Sequence, residues 1–501
     1  MQIIQLMTYK YLIPLAFLII ALNACNNKEE ELADLALAQK HCGSCHLFPT
    51  PDLLDKNNWE KVLPKMGLFM GINSEIKKHS KIDPIEQNSI PTKPMVSEED
   101  WKRIKKYYID KSPYSLHFPL SSITTGEGKL FKGISRMPYS QKMPNITSIK
   151  IDTEKHMVYA SDEINQEIWV LDKGSNVVRQ IPNHVAISDI QVLRNNHVLF
   201  TYMGNSIDPS LRHHGYIKTI SSDKNEILLT NLYRPTQTLS INLDENSDEE
   251  LVINEFGGLK GSLAVWKKIN GTFEKHIIEN SPGAIKTIPI DFDKNGKLDL
   301  ITLFGQGDER IVWYKNNGNL QFTSTTLLRF PPVYGSSSFD LVDMNKDSLL
   351  DIVYTAGDNS DYTVELKPYH GVYIFSNQGK NTFKQTYFYQ MNGAYKAVAR
   401  DFDLDGDLDI ASIAFFVDYF EKTPKDFVFF ENTQQGFIPK VLNIKNFGRW
   451  LVMDTGDIDG DGDEDIVLGN HPIGTTPGTL LKEWIKAKGI LFLINQSANN
   501  K

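Results

Sequence analysis

The sequence predicts a multidomain chain, a small all-α domain followed by an all-β seven-bladed propeller. Three observations predict it. An acidic loop followed by an apolar strand recurs about every 50 residues from Asn242 onward, and internal repeats outrank local propensity as evidence of architecture. Between these loops the chain turns again at Asn and Gly clusters, as at Asn270-Gly271 and Asn317-Gly318, so each period reads strand, turn, strand, turn. Ahead of the repeats, Leu32, Ala36, Leu37 and Lys40 and then Trp101, Ile104, Tyr107 and Tyr108 recur at helical spacing. At 501 residues the chain exceeds one compact core. Its 53 Lys plus Arg against 62 Asp plus Glu leave a net charge of -9, and no basic field to attract a polyphosphate. Nucleic acid is excluded as a partner.

The first element is an address. Lys10 is the only charge in the first 24 residues, and Leu12 to Leu22 is apolar throughout apart from Pro14. Eleven residues cannot span a bilayer, which needs about 20. Leu22-Asn23-Ala24-Cys25 resembles the lipobox of bacterial lipoproteins. The resemblance implies a signal peptide over 1–24, a lipidated Cys25 and a charged tether over 25–34. The mature chain would be exported and lipid-anchored to a bacterial outer membrane. Lys28-Glu29-Glu30-Glu31 is similar to the surface-export signal of Bacteroidetes lipoproteins.

The second element carries the remaining cysteines, in Cys42-Gly43-Ser44-Cys45-His46. C-x-x-C-H suits covalent haem attachment: two thiols add to the porphyrin vinyls and the adjacent imidazole is held under the iron. A zinc site competes, but would need ligands such as His41 in a crowded set. A redox dithiol also competes, but would follow a strand rather than a helix. A turn at Pro49 and Pro51 can offer a carbonyl to the imidazole Nδ1. Ser97-Glu98-Glu99-Asp100 reads as an acidic N-cap turn opening a helix from Trp101 to Ile109. These residues resemble a class I-like c-type cytochrome domain over 35–115. The resemblance implies haem c on Cys42, Cys45 and His46. Met66, in Leu63-Pro64-Lys65-Met66-Gly67, would be the sixth ligand, ahead of Met95 in Pro94-Met95-Val96-Ser97.

The third element spans 116–501. Loops starting at 242, 291, 343, 401 and 457 lie 49, 52, 58 and 56 residues apart, a blade length. Four carboxylates within nine residues repel each other unless a cation intervenes. Oxygen donors at positions one, three, five and nine, with Gly at six, follow the logic of a calcium loop. Asp401, Asp403, Asp405 and Asp409 with Gly406 meet it fully, as do Asp457, Asp459, Asp461 and Asp465 with Gly462. Asp291, Asp293, Asn295 and Asp299 with Gly296 come next. Asp343, Asn345, Asp347 and Asp351 have Ser348 in place of Gly, and the loop at Asn242 has Ser247. The copies resemble FG-GAP or VCBS repeats, the propeller units related to integrin α-subunit heads. Two degenerate blades starting at Ile146 and Ile187 bring the total to seven, and a segment near Leu130 to Ile134 would supply the last blade's outer strand.

The expected function is electron transfer by a membrane-tethered haem c protein. Its Ca²⁺-stabilised propeller would bind a redox partner protein, or a glycan or protein ligand. One alternative is a propeller-based oxidoreductase passing substrate electrons to the haem; another is an adhesion or glycan-binding lipoprotein. Tyr369-His370-Gly371, Arg449-Trp450 and Asn470-His471-Pro472 are loop candidates, but their spacing defines no catalytic group.

Overall fold

Residues 29–78, 89–119, 124–125, 130–136, 142–194, 197–204, 214–221, 224–244, 246, 248–359, 365–474 and 478–498 are described by a computed structural model. The chain divides into two units, Met1–Leu116 and His117–Lys501. Cys25, the signal peptide and Ser247 lie outside the described residues.

In the first unit a helix over 29–42 leads into the cysteine motif. Helices follow at Lys56–Phe69, Asn73–Ile76 and Glu98–Lys111. Asp55 caps the first of these through Asn58 N (2.9 Å), and Ser97 caps the last through Asp100 N (3.0 Å). Three acids in that last helix's opening turn favour its N-terminal dipole. The helix over 29–42 is tied to Glu98–Lys111 by Asp34–Arg103 (2.7 Å) and Glu31–Lys111 (2.6 Å).

The core of this unit turns on Gly67. A Cβ there would lie 2.7 Å from Glu75 Cγ and 2.8 Å from Trp101 Cζ2. Glu75 is fully buried and accepts from Trp101 Nε1 at 3.0 Å. Burial opposes its ionisation, but hydrogen bonds from Lys105, Trp101 and Lys78 outweigh that and hold the carboxyl down at about 2. Replacing Gly by Ala inside a helix normally gains up to about 1 kcal/mol. Here both obstructing groups are buried, and overpacking costs about 1–3 kcal/mol. Gly67→Ala should therefore destabilise the helical unit, seen as a lower midpoint in the helical circular-dichroism signal; a raised midpoint would contradict this crossing.

The second unit is a ring of seven antiparallel sheets. Their innermost strands are Ile146–Asp152, Ala186–Val192, Pro235–Ile241, Ala284–Ile290, Ser336–Val342, Ala394–Arg400 and Trp450–Gly456, numbered here as blades 1 to 7. The expected outer strand of the last blade is present: Phe131–Arg136 pairs antiparallel with Ile490–Asn495, Phe131 opposite Asn495. The ring is thus closed by residues from its own beginning, which give blade 7 its fourth strand. Thr124–Thr125 adds a parallel strand to blade 6, which no sequence pattern announced.

Apolar sequence runs explain the core. The second strands of blades 3 to 7, such as Asp299–Phe304 and Asp465–Asn470, are buried at every residue. They lie inside the sheet stack with both faces covered, so they read as continuous runs rather than alternations. Among the described residues, seven apolar clusters each straddle two neighbouring blades. The cluster of Ile146, Val158 and Trp169 with Val467 and Phe492 joins blade 1 to blade 7 and closes the circle.

Polar links join the innermost strands from blade to blade. Lys150 pairs with Asp454 (3.1 Å), and Arg400 with Asp340 (3.1 Å). Lys286 Nζ donates to Phe339 O at 2.8 Å and Lys396 Nζ to Met453 O at 2.6 Å. Thr287 N donates to Gln237 Oε1 at 2.6 Å, and Ser240 N to Gln191 Oε1 at 2.7 Å. Each link crosses between adjacent blades.

Candidate functional site

Cys42 ends its helix half-buried, and Cys45 is exposed two residues beyond Gly43. Burial pushes the Cys42 thiol up to about 11, outweighing its hydrogen bond with Tyr108. His46 Nδ1 lies 3.0 Å from Leu47 O. A carbonyl can only accept, so this bond places the proton on Nδ1 and the lone pair on Nε2. The carbonyl comes from Leu47 rather than from the proline turn, whose two carbonyls are taken. Tyr108 Oη donates to Pro49 O at 2.8 Å, and Trp59 Nε1 to Pro51 O at 2.8 Å. Trp59 and Tyr108 also pack together, centroids 4.4 Å apart, so the motif rests on an aromatic floor. Met66 lies half-buried on Lys56–Phe69, one residue before the crossing at Gly67, whereas Met95 is exposed. Two thiols and an oriented imidazole are a donor set that fits haem c.

In the second unit the acidic loops join the first strand of a blade to its second. Four of them share one backbone form. Positions four and six are left-handed in each: Lys294 and Gly296, Lys346 and Ser348, Leu404 and Gly406, Gly460 and Gly462. Position six N–H donates to the first Asp in all four, at 2.8 Å for Gly296 and Ser348, 3.1 Å for Gly406 and 3.2 Å for Gly462. Ser348 therefore takes the turn at a conformational cost that the Gly loops avoid.

Carboxylate convergence separates the loops. Ligand atoms of Asp291, Asp293 and Asp299 lie within 4.8 Å of one another, as do those of Asp401, Asp403 and Asp405, and of Asp457, Asp459 and Asp465. In the loop from Asp343, Asn345 Nδ2 donates to Asp347 Oδ2 at 3.0 Å, so side chains answer each other. Lysines reach two of the other loops: Lys315 pairs with Asp293 (2.6 Å) at the edge of the converged Asp291 cluster, and Lys267 with Asp244 in the loop from Asn242. Among the described residues no lysine or arginine pairs with Asp401, Asp403, Asp405 or Asp409. Asp401 Oδ1 and Asp409 Oδ2 are buried atoms with no hydrogen-bond partner. Burial, reinforced by the neighbouring carboxylates, pushes Asp409 and Asp465 each up to about 7. Orphaned oxygens and crowded negative charge fit a hard divalent cation.

The ninth position has a further task that the loop pattern did not reveal. Asn316 N donates to Asp299 Oδ1 (2.7 Å), Asn377 N to Asp351 (2.8 Å), Asn432 N to Asp409 (2.8 Å) and Asn495 N to Asp465 (2.7 Å). Each Asn sits at or just past the end of its blade's third strand. Asn316 Nδ2 reaches Leu243 O (2.8 Å) and Asn495 Nδ2 reaches Phe402 O (2.7 Å), both in the preceding blade. The sequence signal was the Asn ending each third strand, as in Tyr314-Lys315-Asn316 and Leu493-Ile494-Asn495.

The remaining candidates are packed away. His370 is 0% exposed, Trp450 0% and Arg449 1%. Arg449 lies over the Phe415 ring, 3.7 Å from its centroid, and donates to Phe415 O (2.8 Å) and Ile473 O (2.9 Å). Burial lowers His471 to about 3, so it is neutral. Arg449, Trp450 and His471 brace blades 6 and 7, whereas His370 is packed within blade 5. Nearby Asp426 is buried, and burial pushes its carboxyl up to about 7. Its unfolded value is about 3.9, so between pH 4 and 7 the folded state holds the extra proton and stability falls as pH rises. Melting curves of Asp426→Asn should be less pH-dependent than those of the parent over that window; equal slopes would refute the assignment.

Residues 291–354 match the FG-GAP-like repeat family. A search of curated proteins finds no match. Among solved structures, the N-terminal domain of Nup159 is similar over 75% of this chain and 99% of its own, with 10% identity and a TM-score of 0.41. A catalytically inactive virginiamycin B lyase from Staphylococcus aureus, with quinupristin, is similar over 73% of this chain and 99% of its own, with 10% identity and a TM-score of 0.46. The second unit is thus a seven-bladed β-propeller that carries an FG-GAP-like repeat.

Proposed function

We propose that this chain is a membrane-tethered haem c electron-transfer protein whose calcium-braced propeller binds a partner. The observation that carries the reading is Cys42, Cys45 and His46 at the end of one helix, with Nδ1 of the histidine engaged by Leu47 O. Haem, when bound, supplies one-electron chemistry at a potential set by its axial ligands and burial. The chain's part would be to hold it, through the Cys42 and Cys45 sulfurs, His46 Nε2 and the Met66 sulfur. Three acidic loops, at Asp291, Asp401 and Asp457, hold Ca²⁺ as staples between strands. The lipid on Cys25 would keep the protein at the outer membrane, where a redox partner protein can reach it.

The test is the purified mature chain, made in a host that matures c-type cytochromes. Covalent haem after acid–acetone extraction, a calcium count near three and lipid labelling lost in Cys25→Ala would support the reading. A haem-free chain would overturn it.

A further inference from the structure

The acidic loops occupy one end of the strands, and the segments joining second to third strands occupy the other. On that other face, between blades 5 and 6, a pocket of about 470 Å³ is lined by Gln390, Asn392, Asp418, Glu421 and Lys425, and its apolar wall includes Phe118 and Leu366. The volume is within the usual range for small-molecule sites, about 300–1,000 Å³. Blade 5 supplies Leu366, and the 415–426 segment of blade 6 supplies Asp418, Glu421, Lys422 and Lys425.

Its polar wall is a closed circuit. Lys425 Nζ donates to Gln390 Oε1 (3.1 Å), and Gln390 Nε2 to Asn392 Oδ1 (2.8 Å). Asn392 Nδ2 donates to Glu421 Oε1 (3.1 Å), and Glu421 Oε2 lies 3.7 Å from Lys425 Nζ. Lys425, Gln390 and Asn392 are all at most 5% exposed, so their orientations are set before any ligand arrives. The charged lining residues cancel: Asp418 and Glu421 against Lys422 and Lys425. An anion or a cation meets repulsion from one pair or the other. A purely apolar ligand would strip water from amides and carboxylates at about 1–3 kcal/mol for each group left unpaired. A neutral polyol answers both donors and acceptors and lays its C–H face on the apolar wall. Phe420, on the same lining segment, is 90% exposed, an aromatic ring with no burial in the fold.

We propose that this pocket is a carbohydrate subsite for one or two neutral sugar residues. The proposal rests on the propeller being the binding half of the protein, and names its ligand class. The experiment is calorimetric titration of the full-length chain with maltose, cellobiose, xylobiose and N,N′-diacetylchitobiose, and with glucuronate and glucosamine as charged comparisons. At least one neutral disaccharide should bind, with both charged sugars at least 10-fold weaker. Asn392→Ala, which opens the circuit, and Leu366→Trp, which adds bulk to the apolar wall without adding charge, should each weaken that binding at least 10-fold, with unchanged melting temperature in at least one of them. No binding by any neutral sugar, preference for a charged one, or affinity indifferent to both variants would overturn the proposal. Haem content reads out separately. A haem-loaded chain that ignores sugars sinks the pocket alone, and a sugar-binding chain without haem sinks the electron-transfer reading alone.

Discussion

Cys45→Ala will abolish the two-thioether attachment of haem, and Cys42→Ala with Cys45→Ala will leave no covalent haem at all. The expectation follows from the cysteine count. Apart from Cys25 the chain has no other thiol, so nothing can substitute. The loss is all or none for the double variant, far above the gradations of a stability effect. His46→Ala should differ, keeping some covalent porphyrin but losing the strong axial field that His46 would provide. Met66→Ala should remove the ferric Met-to-iron charge-transfer band while leaving the thioethers intact. Mass spectrometry of the processed chain and a visible spectrum separate these cases. A double variant that retains covalent haem would end the cytochrome assignment, and loss of the band in Met95→Ala instead would move the sixth ligand.

Calcium removal is expected to have the second largest effect. A ligand bound only by the native state stabilises it by about 2.7 kcal/mol at 100 times its dissociation constant. Three loops together, at about 8 kcal/mol, would shift the melting temperature by roughly 15–30 °C, since about 1 kcal/mol moves a large domain by roughly 2–4 °C. Asp401→Asn and Asp457→Asn should each reproduce part of that shift in calcium and have little effect in chelator. Asp343→Asn should have little effect in either, because its loop is already answered by Asn345 and by backbone N–H groups. Asp409 and Asp465, raised to about 7, must shed protons to hold a cation, so the calcium-dependent shift should shrink as pH falls below 7. A melting temperature indifferent to excess chelator would remove the metal from the loops.

Much of this architecture was legible because the relevant information is local. An acidic loop writes its donors within nine residues, and its turn form depends on one or two left-handed positions, so Asp401 to Asp409 could be read directly. The closing strand was legible as well, because Ile490–Asn495 lacked a partner in the remaining chain and Phe131–Arg136 had the pattern to supply it. The ranking of the loops was less so. Lys315 beside Asp293 and Lys267 beside Asp244 come from a different strand of the blade, and nothing in the loop itself announces a competing ammonium group. The same holds for His46, where Leu47 rather than the proline turn supplies the carbonyl because Tyr108 and Trp59 arrive from distant positions to occupy Pro49 and Pro51.

By itself the sequence determined the blade repeat, the acidic loop chemistry and the cysteine pair with its histidine, since each is written in residues that are neighbours along the chain. Tertiary structure alone decided which charges meet. Lys150 finds Asp454, and Gln390 finds Lys425, across 304 and 35 residues. Ring closure creates the first by bringing the inner strand of blade 7 against that of blade 1, and the packing of blade 6 on blade 5 creates the second; a Coulomb or hydrogen-bond energy that depends on a few ångströms has no expression in a linear string until the blades meet.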